Sequence, residues 1–418
     1  MNVLWIVNIV FPEANALLNK SKDLKSSGGW MIGAANALLE HPEVNLNVAS
    51  LSPLVEDLTV LQGNRIRYFI IPLGGGNIKY NKEYEKYWKL IKGQVQPDVI
   101  HIHGTEFSQG LSYVNACSNE GVVVSIQGLK SAISEYYMAG MSKMDVYLNL
   151  TLRDVLRGSI ISDKRRFKKS GVLEKELLAK VNHIIGRTSW DRARTWAINP
   201  DAKYHFCNET LREEFYDGAR WSCQDCKPHS IFISQATYPI KGFHQLIKAL
   251  PLILRQYPDA VVRVAGSNST KCEGIKGLLH YIGYGKYLRQ LIEKDNLSDR
   301  IVFLGGLNAE QMKNEYLHCN VFVCPSSIEN SPNSLGEAQI LGVPCVASYV
   351  GGIPDMMQGD EDNMYRFEEV EMMAEKICRV FAGNICKNNL IEIAKERHNP
   401  KCNSMQLLNI YKEIIGKE

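Results

Sequence analysis

The sequence has no hydrophobic run long enough to cross a membrane, since its apolar stretches, such as 343–350, fall far short of about 20 residues. The N-terminus has no basic flank and no small-residue cleavage site, so residues 1–10 predict a buried strand and not a signal peptide. The chain also has no large excess of charge of either sign. A net charge of only +3 gives no reason to expect nucleic acid as a partner. We therefore expect a soluble, cytoplasmic protein.

A framework for disulfides or metal is missing as well. The 11 cysteines are odd in number and scattered, which favours reduced thiols. One Cys-x2-Cys pair, Cys223 and Cys226, lies close to His229, but no second pair follows at the spacing of a structural zinc site. The sequence therefore predicts no bound metal and no cofactor.

Short apolar runs alternate with amphipathic stretches along nearly the whole chain, which is typical of strand-helix units around a parallel sheet. A length of 418 residues fits two domains. The strands predicted in the first half are 3–8, 46–51, 67–71, 99–103, 122–126 and 184–187, and those in the second half are 231–234, 261–265, 301–304, 321–324 and 343–348.

The strand pattern restarts after a polar stretch at 217–228. This predicts an α/β fold with two Rossmann-like, doubly wound domains facing a central cleft, and ligands at the carboxyl ends of strands. The boundaries expected are 1–215 for the acceptor-side domain, 216–229 for a linker, 230–385 for the donor domain, and 386–418 for a C-terminal helical segment. That last segment can pack on either domain, including a return to the first.

The most informative motif follows the predicted strand 321–324 and contains two carboxylates eight residues apart, Glu329 and Glu337. Pro332 is suited to the first turn of a helix, and Gly342 ends it. Glu329 is then in the loop and Glu337 on the helix. A helix N-terminus suits a diphosphate, and carboxylates accept hydrogen bonds from sugar and ribose hydroxyls.

Glu337 also has a purely structural interpretation. Ser334-x-x-Glu337 fits a capping box, in which the glutamate satisfies the N–H groups of its own helix. The residues by themselves leave both interpretations open.

The same motif closely resembles the donor-site signature of the family 4, or group 1, glycosyltransferases. The resemblance rests on Glu329-x7-Glu337-Ala, Gly-Val-Pro at 342–344 and Gly-Gly-Ile-Pro-Asp at 351–355. It covers the second half of the chain through further segments at 231–235, 241–243, 264–266, 283–285 and 299–305. The first half matches more loosely, through a first strand, Gly-Gly at 28–29 and Pro-Asp-Val-Ile-His-Ile-His-Gly at 97–104.

The resemblance implies a GT-B enzyme that transfers a sugar from a nucleotide-diphosphate donor with retention of configuration. Glu329 would contact the donor sugar, Glu337 the nucleotide ribose and Lys241 the diphosphate, while Gly28 and Gly29 would let backbone approach the same phosphates. The other donor-side residues implied are Gln235, Gly266, Asn333, Ser334 and Leu335.

His103, at the end of a predicted strand, matches a family histidine near the reacting sugar, and with Glu329 and Lys241 it completes the expected catalytic set. Without the resemblance, a strand-end histidine bonded to backbone is the commoner arrangement. Gln127 and Arg187 also follow predicted strands and are candidates on the acceptor side.

Two positions depart from the family pattern. Gln235 stands where relatives usually carry an arginine, and a glutamine cannot offset phosphate charge as a guanidinium does. Gln127 stands where many relatives have a histidine, and it cannot titrate. A catalytically weak nucleotide-sugar-binding protein is therefore one alternative function. A sugar-nucleotide epimerase of the same fold is the other.

The resemblance implies a UDP- or GDP-sugar as substrate and a glycan or lipid-linked acceptor, in the synthesis of cell-surface polysaccharide. The segment 157–169 holds six basic residues against one acidic residue, which suits peripheral contact with the inner membrane face. A solvated helix face is the other interpretation of this charge run.

Overall fold

The computed structural model describes residues 1–19, 29–73, 80–272, 274–383 and 390–416. They fall into two compact units. Unit 1 comprises 1–132, 167–213 and 397–418, and unit 2 comprises 133–166 and 214–396. Each unit contains one sheet, so the expected α/β fold with two parallel-sheet domains is confirmed. The units are discontinuous in sequence, because 133–166 lies in unit 2, whereas the sequence pattern placed all of 1–215 in one domain.

The sheet of unit 1 has eight strands in the order β3-β4-β2-β1-β5-β6-β7-β8, and only β3 is antiparallel to its neighbour. The strand order reverses between β1 and β5, and this is where a doubly wound sheet opens a crevice at its carboxyl edge. The strands are β1 Asn2–Ile6, β2 Asn45–Ser52, β3 Thr59–Gln62, β4 Arg67–Pro72, β5 Val99–His103, β6 Val122–Ser125, β7 His183–Gly186 and β8 Lys203–Phe206.

The sheet of unit 2 has six parallel strands in the order β11-β10-β9-β12-β13-β14. Counted within the unit, this is the 3-2-1-4-5-6 order of dinucleotide-binding folds, and its reversal point lies between β9 and β12. The strands are β9 Ser230–Ile233, β10 Val261–Val264, β11 Ile301–Phe303, β12 Val321–Cys324, β13 Cys345–Ser348 and β14 Met364–Tyr365.

Helices connect the strands in both units. In chain order they are α1 Pro12–Asn19, α2 Gly29–Leu39, α3 Tyr84–Val95, α4 Gln109–Cys117, α5 Lys130–Tyr136, α6 Lys143–Leu148, α7 Leu152–Arg157, α8 Ile160–Lys180, α9 Ser189–Trp196, α10 Phe243–Gln256, α11 Gly274–His280, α12 Gly283–Lys294, α13 Ala309–His318, α14 Asn333–Leu341, α15 Ile353–Met356, α16 Val370–Phe381, α17 Leu390–Arg397 and α18 Pro400–Ile414.

Three strands were missed by the sequence analysis, and all three lie at sheet edges. β3 is half-exposed throughout, β8 carries polar side chains, and β14 is only two residues long. β3 and β8 therefore lack the short apolar run by which the other strands were recognised, and β14 is too short to form one.

The C-terminal helix α18 belongs to unit 1 and packs against α2. Its Tyr411 is fully buried, and the hydroxyl oxygen lies 2.9 Å from Trp5 Nε1 and 2.6 Å from His101 Nδ1. These hydrogen bonds connect the helix to β1 and β5, the two strands at the reversal point of the sheet.

Candidate active site

Two predicted site residues meet at the reversal point of the unit 2 sheet. Lys241 ends a short 3-10 turn after β9, and Glu329 lies in the loop after β12. Lys241 Nζ donates to Glu329 Oε1 at 2.6 Å, and Ser326 Oγ donates to the same oxygen at 2.7 Å. Ser326 was not singled out from the sequence, because nothing in the motif shows that it bonds to the glutamate three residues further on.

Two glycines hold the Glu329 loop in place by allowing close backbone contact. A Cβ on Gly242 (φ 69°) would lie 1.6 Å from the Pro325 carbonyl oxygen, and one on Gly351 (φ 52°) would lie 1.9 Å from the Glu329 carbonyl oxygen. Gly352 N–H also donates to that oxygen of Glu329 at 3.0 Å. The glycines of the motif therefore fix the backbone that presents the carboxylate.

The ion pair sets the charge state of Lys241. Burial by itself lowers the pKa of this ammonium, but the charge and hydrogen bond of Glu329 outweigh it, so the pKa lies above its ordinary value. The Lys241 and Glu329 side chains are 25% and 14% exposed, so both remain accessible to a ligand. The lysine is a fixed cation at neutral pH.

Helix α14 begins at Asn333, with Pro332 as its N-cap and no side-chain cap hydrogen bond. The capping-box interpretation of Glu337 is therefore wrong, because it required Ser334 at the N-cap, whereas Ser334 already lies within the helix. Glu337 is 4% exposed and Leu335 is fully buried. The Oδ1 atom of Asn333 is buried without a hydrogen-bond partner among the described residues.

The remaining donor-side candidates of unit 2 lie at the carboxyl ends of neighbouring strands. Gln235 follows β9 and is exposed. Gly266 follows β10 with φ 100°, donates its N–H to the Gly305 carbonyl at 2.8 Å, and has open space where a side chain would stand. Open space beside backbone at this edge suits a ligand that approaches closely.

Three further candidates lie at the carboxyl ends of adjacent strands in unit 1: His103 ends β5, Gln127 follows β6 and Arg187 follows β7. Gly29 is the first residue of α2, and a Cβ on it would lie 3.2 Å from Arg212 Cγ. Gly28 lies outside the described residues. The structure thus brings together the acceptor-side candidates of the sequence analysis, in the unit that carries them.

His103 is 5% exposed, stacks on His101 with ring centroids 3.8 Å apart, and contacts Trp5 at 4.3 Å. Neither ring nitrogen has a hydrogen-bond partner among the described residues. Burial, reinforced by the nearby charge of Arg187, lowers its pKa to about 3. The ring lines a cavity of about 50 Å³ with Trp30 and Arg187, so a neutral imidazole faces a space that fits a hydroxyl group or a few water molecules.

Arg187 is held by a buried ion pair that sequence reasoning missed. Its guanidinium pairs with Glu209 and donates to the Ile126 carbonyl, while its own N–H donates to Asp191 Oδ2 at 3.0 Å. Burial raises the pKa of Glu209, and the charge of Arg187 opposes that shift. Because both groups line the same cavity as His103, the pair supplies a donor and an acceptor for a polar ligand.

A His103→Asn variant tests the burial of the neutral imidazole. Protonation is opposed in the folded state, so the stability that His103 contributes is complete above pH 6.5 and is lost as pH falls toward 3. The unfolding free energy of the wild type relative to the variant should therefore drop by about 2–3 kcal/mol between pH 7 and pH 4.5, measured by urea denaturation. A difference that stays constant over this range would contradict the buried, neutral ring.

Possible metal ligands have protein partners in the described residues. His229 bonds to Asp259 at 2.8 Å instead of joining Cys223 and Cys226. An Asp-x-Asp triplet at 360–362 begins with a buried aspartate that accepts from Asn363 Nδ2 at 2.7 Å. One cluster has three possible ligand atoms within 4.8 Å of one another, from His183, His205 and Glu413. In it, the two histidine rings bond to each other at 3.0 Å, and Glu413 forms an ion pair with Lys203 at 2.6 Å.

Comparison with known proteins identifies the class. Residues 224–397 match the family described as "Glycosyl transferases group 1". The gpi3 subunit of phosphatidylinositol N-acetylglucosaminyltransferase from Schizosaccharomyces pombe is 23% identical over 66% of this chain and 51% of its own length. The putative glycosyltransferase YtcC of Bacillus subtilis is 28% identical over 72% and 67%. This chain thus spans about half the length of the first of these relatives.

Among solved structures, sucrose-phosphate synthase from Thermosynechococcus elongatus superposes on this chain with a TM-score of 0.69 and 17% sequence identity. The superposition covers 99% of each chain. At that identity the likeness shows the fold, which is the GT-B fold of two Rossmann-like domains. Residues 224–397 carry a domain of the group 1 glycosyltransferases. No helix among the described residues is long and apolar enough to span a membrane.

Proposed function

We propose that this protein transfers a sugar from a UDP- or GDP-sugar to a hydroxyl of a glycan or lipid-linked acceptor, with retention of configuration. The observation that carries this proposal is the Lys241–Glu329 ion pair at the reversal point of the donor-domain sheet, beside the N-terminus of α14. This places a cation, a hydrogen-bond-accepting carboxylate and free backbone N–H groups in one region of unit 2.

Each of these groups suits a different part of the donor. The first N–H groups of α14, at Asn333 and Ser334, together with the ammonium of Lys241, bind the diphosphate, since both carry positive charge toward an anion. The Glu329 carboxylate accepts hydrogen bonds from the sugar hydroxyls, and Glu337 accepts them from the ribose. Leu335, Gln235 and Gly266 complete the surroundings of the nucleotide, and Gly29 offers backbone to the phosphates.

Donor binding then replaces the ion pair of the free protein. Lys241 moves its charge from Glu329 to the diphosphate, and the released carboxylate turns to the sugar. The pair keeps both side chains at the site before the donor arrives, with Nζ and Oε1 2.6 Å apart, so the exchange of partners needs only movement of these two side chains.

In the reaction, the bond between the anomeric carbon and the leaving phosphate oxygen breaks. The acceptor hydroxyl forms its bond to that carbon on the same face, and its proton passes to the departing phosphate oxygen. No protein nucleophile takes part. Lys241 and the N-terminus of α14 stabilise the charge that develops on the diphosphate, and this charge stabilisation supplies the catalysis.

On the acceptor side, His103, Gln127 and Arg187 bind the hydroxyl groups of the acceptor. The His103 imidazole is neutral at physiological pH, so it acts as a hydrogen-bonding group and not as a cation. The name of the fission yeast relative, which refers to phosphatidylinositol, supports a lipid-linked acceptor here as well. The basic segment 157–169 supports contact with the inner membrane face during assembly of cell-surface polysaccharide.

The direct test is nucleotide release from a panel of UDP-, GDP- and ADP-sugars, with and without free-sugar and lipid-linked acceptors. Acceptor-dependent release establishes transfer and identifies the donor, and the anomeric configuration of the product by NMR tests retention. Nucleotide binding without release under every pairing would instead support the binding-protein alternative that Gln235 raises. The relatives reported above are named as transferases or as a synthase, which does not favour an epimerase.

A Lys241→Met variant should lower kcat/KM for transfer by about 100-fold, because the diphosphate loses its fixed cation while an unbranched side chain only one atom shorter is kept. Lys227→Met, at an exposed lysine of the same unit, is the matched control and should leave kcat/KM unchanged. Combined with Glu329→Gln, the loss should be less than the product of the two single losses, because the residues contact each other. Fully multiplicative losses would argue against a shared donor site.

A further inference from the structure

The helices α6 and α7 of unit 2 present large apolar side chains to solvent. Within 13 residues of sequence, seven such side chains are exposed, with Leu148 at 67%, Val155 at 74% and Leu156 at 65%. The other four are Met144, Tyr147, Leu150 and Leu152. Single exposed apolar residues are ordinary, but a cluster of this kind is typical of an interaction surface.

α6 buries Val146, but the other buried residues of this segment are polar. Asn149, which follows α6, is 3% exposed and Asp154 is 7% exposed, so in α7 the usual pattern of an amphipathic surface helix is reversed. Asp154 accepts from the Gly283 N–H at 2.8 Å, and Thr151 donates to the Tyr281 carbonyl at 2.6 Å. Polar contacts therefore attach α7 to Tyr281 and to the first residue of α12, and the large apolar side chains face solvent.

Both helices are fixed at their N-termini. Ser142 and Asp145 form a capping box on α6, and Thr151 and Asp154 form one on α7. The exposed apolar surface therefore belongs to two well-defined helices. It continues onto α11, which packs against α7 and exposes Leu278 and Leu279 at 50% and 39%.

Basic residues lie next to the exposed apolar side chains in the sequence, where Lys143 precedes Met144 and Arg157 follows Leu156. Between 143 and 166 the sequence holds six basic residues against three acidic ones. Lys143, Arg157 and Arg165 are exposed, whereas Asp154 is buried and Asp163 pairs with Arg166. Apolar side chains beside a cationic rim suit a surface that is apolar within and anionic at its edge, as the face of a phospholipid bilayer is.

We propose that the exposed apolar side chains of α6, α7 and α11, with their basic rim, form a docking surface that inserts into the headgroup region of an anionic lipid bilayer. In this arrangement Leu148, Val155 and Leu156 enter the acyl boundary, Tyr147 lies at the headgroup level, and the arginines contact lipid phosphates. The protein lies on the membrane and does not span it.

The docking surface deepens the proposed function and rests on it in one respect, namely that the acceptor is lipid-linked. The surface is attached to the donor loop within unit 2. Ser327 Oγ in that loop donates to the Tyr136 carbonyl at 3.2 Å, and Tyr136 ends α5, seven residues before α6 begins. Binding of the docking surface to a bilayer therefore holds the donor domain at the membrane, where such an acceptor resides.

The test is cosedimentation of the full chain with vesicles of phosphatidylcholine, with or without phosphatidylglycerol. The wild type should bind the anionic vesicles. Leu148→Asp combined with Val155→Asp should lower the partition by at least about tenfold, because two inserting side chains become charged. Arg157→Gln combined with Arg165→Gln should lower the partition onto anionic vesicles by about fivefold for each charge removed, and should not change the partition onto vesicles of phosphatidylcholine alone. Leu54→Asp, at a 56% exposed leucine in unit 1, is the control and should bind like the wild type.

Nucleotide release with a free-sugar acceptor, measured on the same variants, separates the two proposals and reports on folding. Equal vesicle binding by the wild type and the Leu148/Val155 variant would overturn the docking surface. A second result would also overturn it: the wild type does not bind vesicles but self-associates in ultracentrifugation, and the Leu148/Val155 variant no longer self-associates. A second copy of the chain would then be the partner of this surface. Vesicle binding through this surface without transfer to any acceptor would refute the proposed function and leave the docking surface standing.

Discussion

Glu329→Gln is expected to lower kcat/KM for sugar transfer by about 1000-fold while the fold is retained. Glutamine keeps the shape of the side chain and one oxygen that can accept from Lys241 and Ser326. It removes the negative charge beside the sugar, and that charge matters most when the anomeric carbon becomes electron-poor in the transition state. The measurement is steady-state nucleotide release with the donor and acceptor that the wild type uses.

The matched control for this prediction is Glu371→Gln, at an exposed glutamate in the first turn of α16 of the same unit. It should keep the wild-type rate. Binding of the free nucleoside diphosphate to the Glu329→Gln variant should also remain, because the carboxylate contacts the sugar and not the phosphates. A loss of less than about tenfold in transfer, or a loss of nucleotide binding as large as the loss of rate, would contradict the role given to Glu329.

Gly242→Ala is expected to destabilise the donor domain by about 3 kcal/mol or more and to abolish transfer. The added Cβ would lie 1.6 Å from the Pro325 carbonyl oxygen, a distance at which the backbone must move. The backbone at Gly242 also has φ 69°, which a residue with a side chain adopts only at a cost. Because Lys241 precedes this glycine directly, any shift displaces the ammonium from Glu329. Urea denaturation and transfer assays measure the two effects.

Gly383→Ala separates the clash from the backbone conformation. Gly383 has φ 82°, but no atom of the residues that the structure describes lies within 4 Å of its added Cβ. Alanine there should cost only the conformational term of about 1 kcal/mol and leave transfer intact. Equal destabilisation by the two substitutions would show that the contact with Pro325 does not restrain the loop.

The central strands could be predicted from sequence because each is an apolar run buried on both faces of a parallel sheet. β5, β9 and β12 are buried throughout, and their predicted positions agree with the structure to within one residue. The edge strands β3 and β8 could not be found in this way because their side chains are largely polar or exposed, and β14 was missed because it has only two residues. The fourth edge strand, β11, carries an apolar run and was predicted.

For the candidate site, the sequence supplied the residue types but not their partners. Glu329 and Lys241 are 88 residues apart, and only the reversal of strand order between β9 and β12 brings them within 2.6 Å. Glu337 shows the same limit. The capping box that its spacing allowed is excluded by the observed start of α14 at Asn333. The partner of Arg187, Glu209, carries no local signal, because it comes from a separate segment of the chain.

The sequence by itself determined the α/β class, the resemblance to group 1 glycosyltransferases and the position of the Glu329 motif, because these depend on local periodicity and on residues close together in the chain. Only the tertiary structure decided that segment 133–166 lies in unit 2, that Lys241 pairs with Glu329, and that α6 and α7 expose most of their apolar side chains. Which side of a helix is buried depends on what packs against it. For α7 the polar contacts of Thr151 and Asp154, made with residues about 130 positions away in sequence, outweigh the apolar pattern.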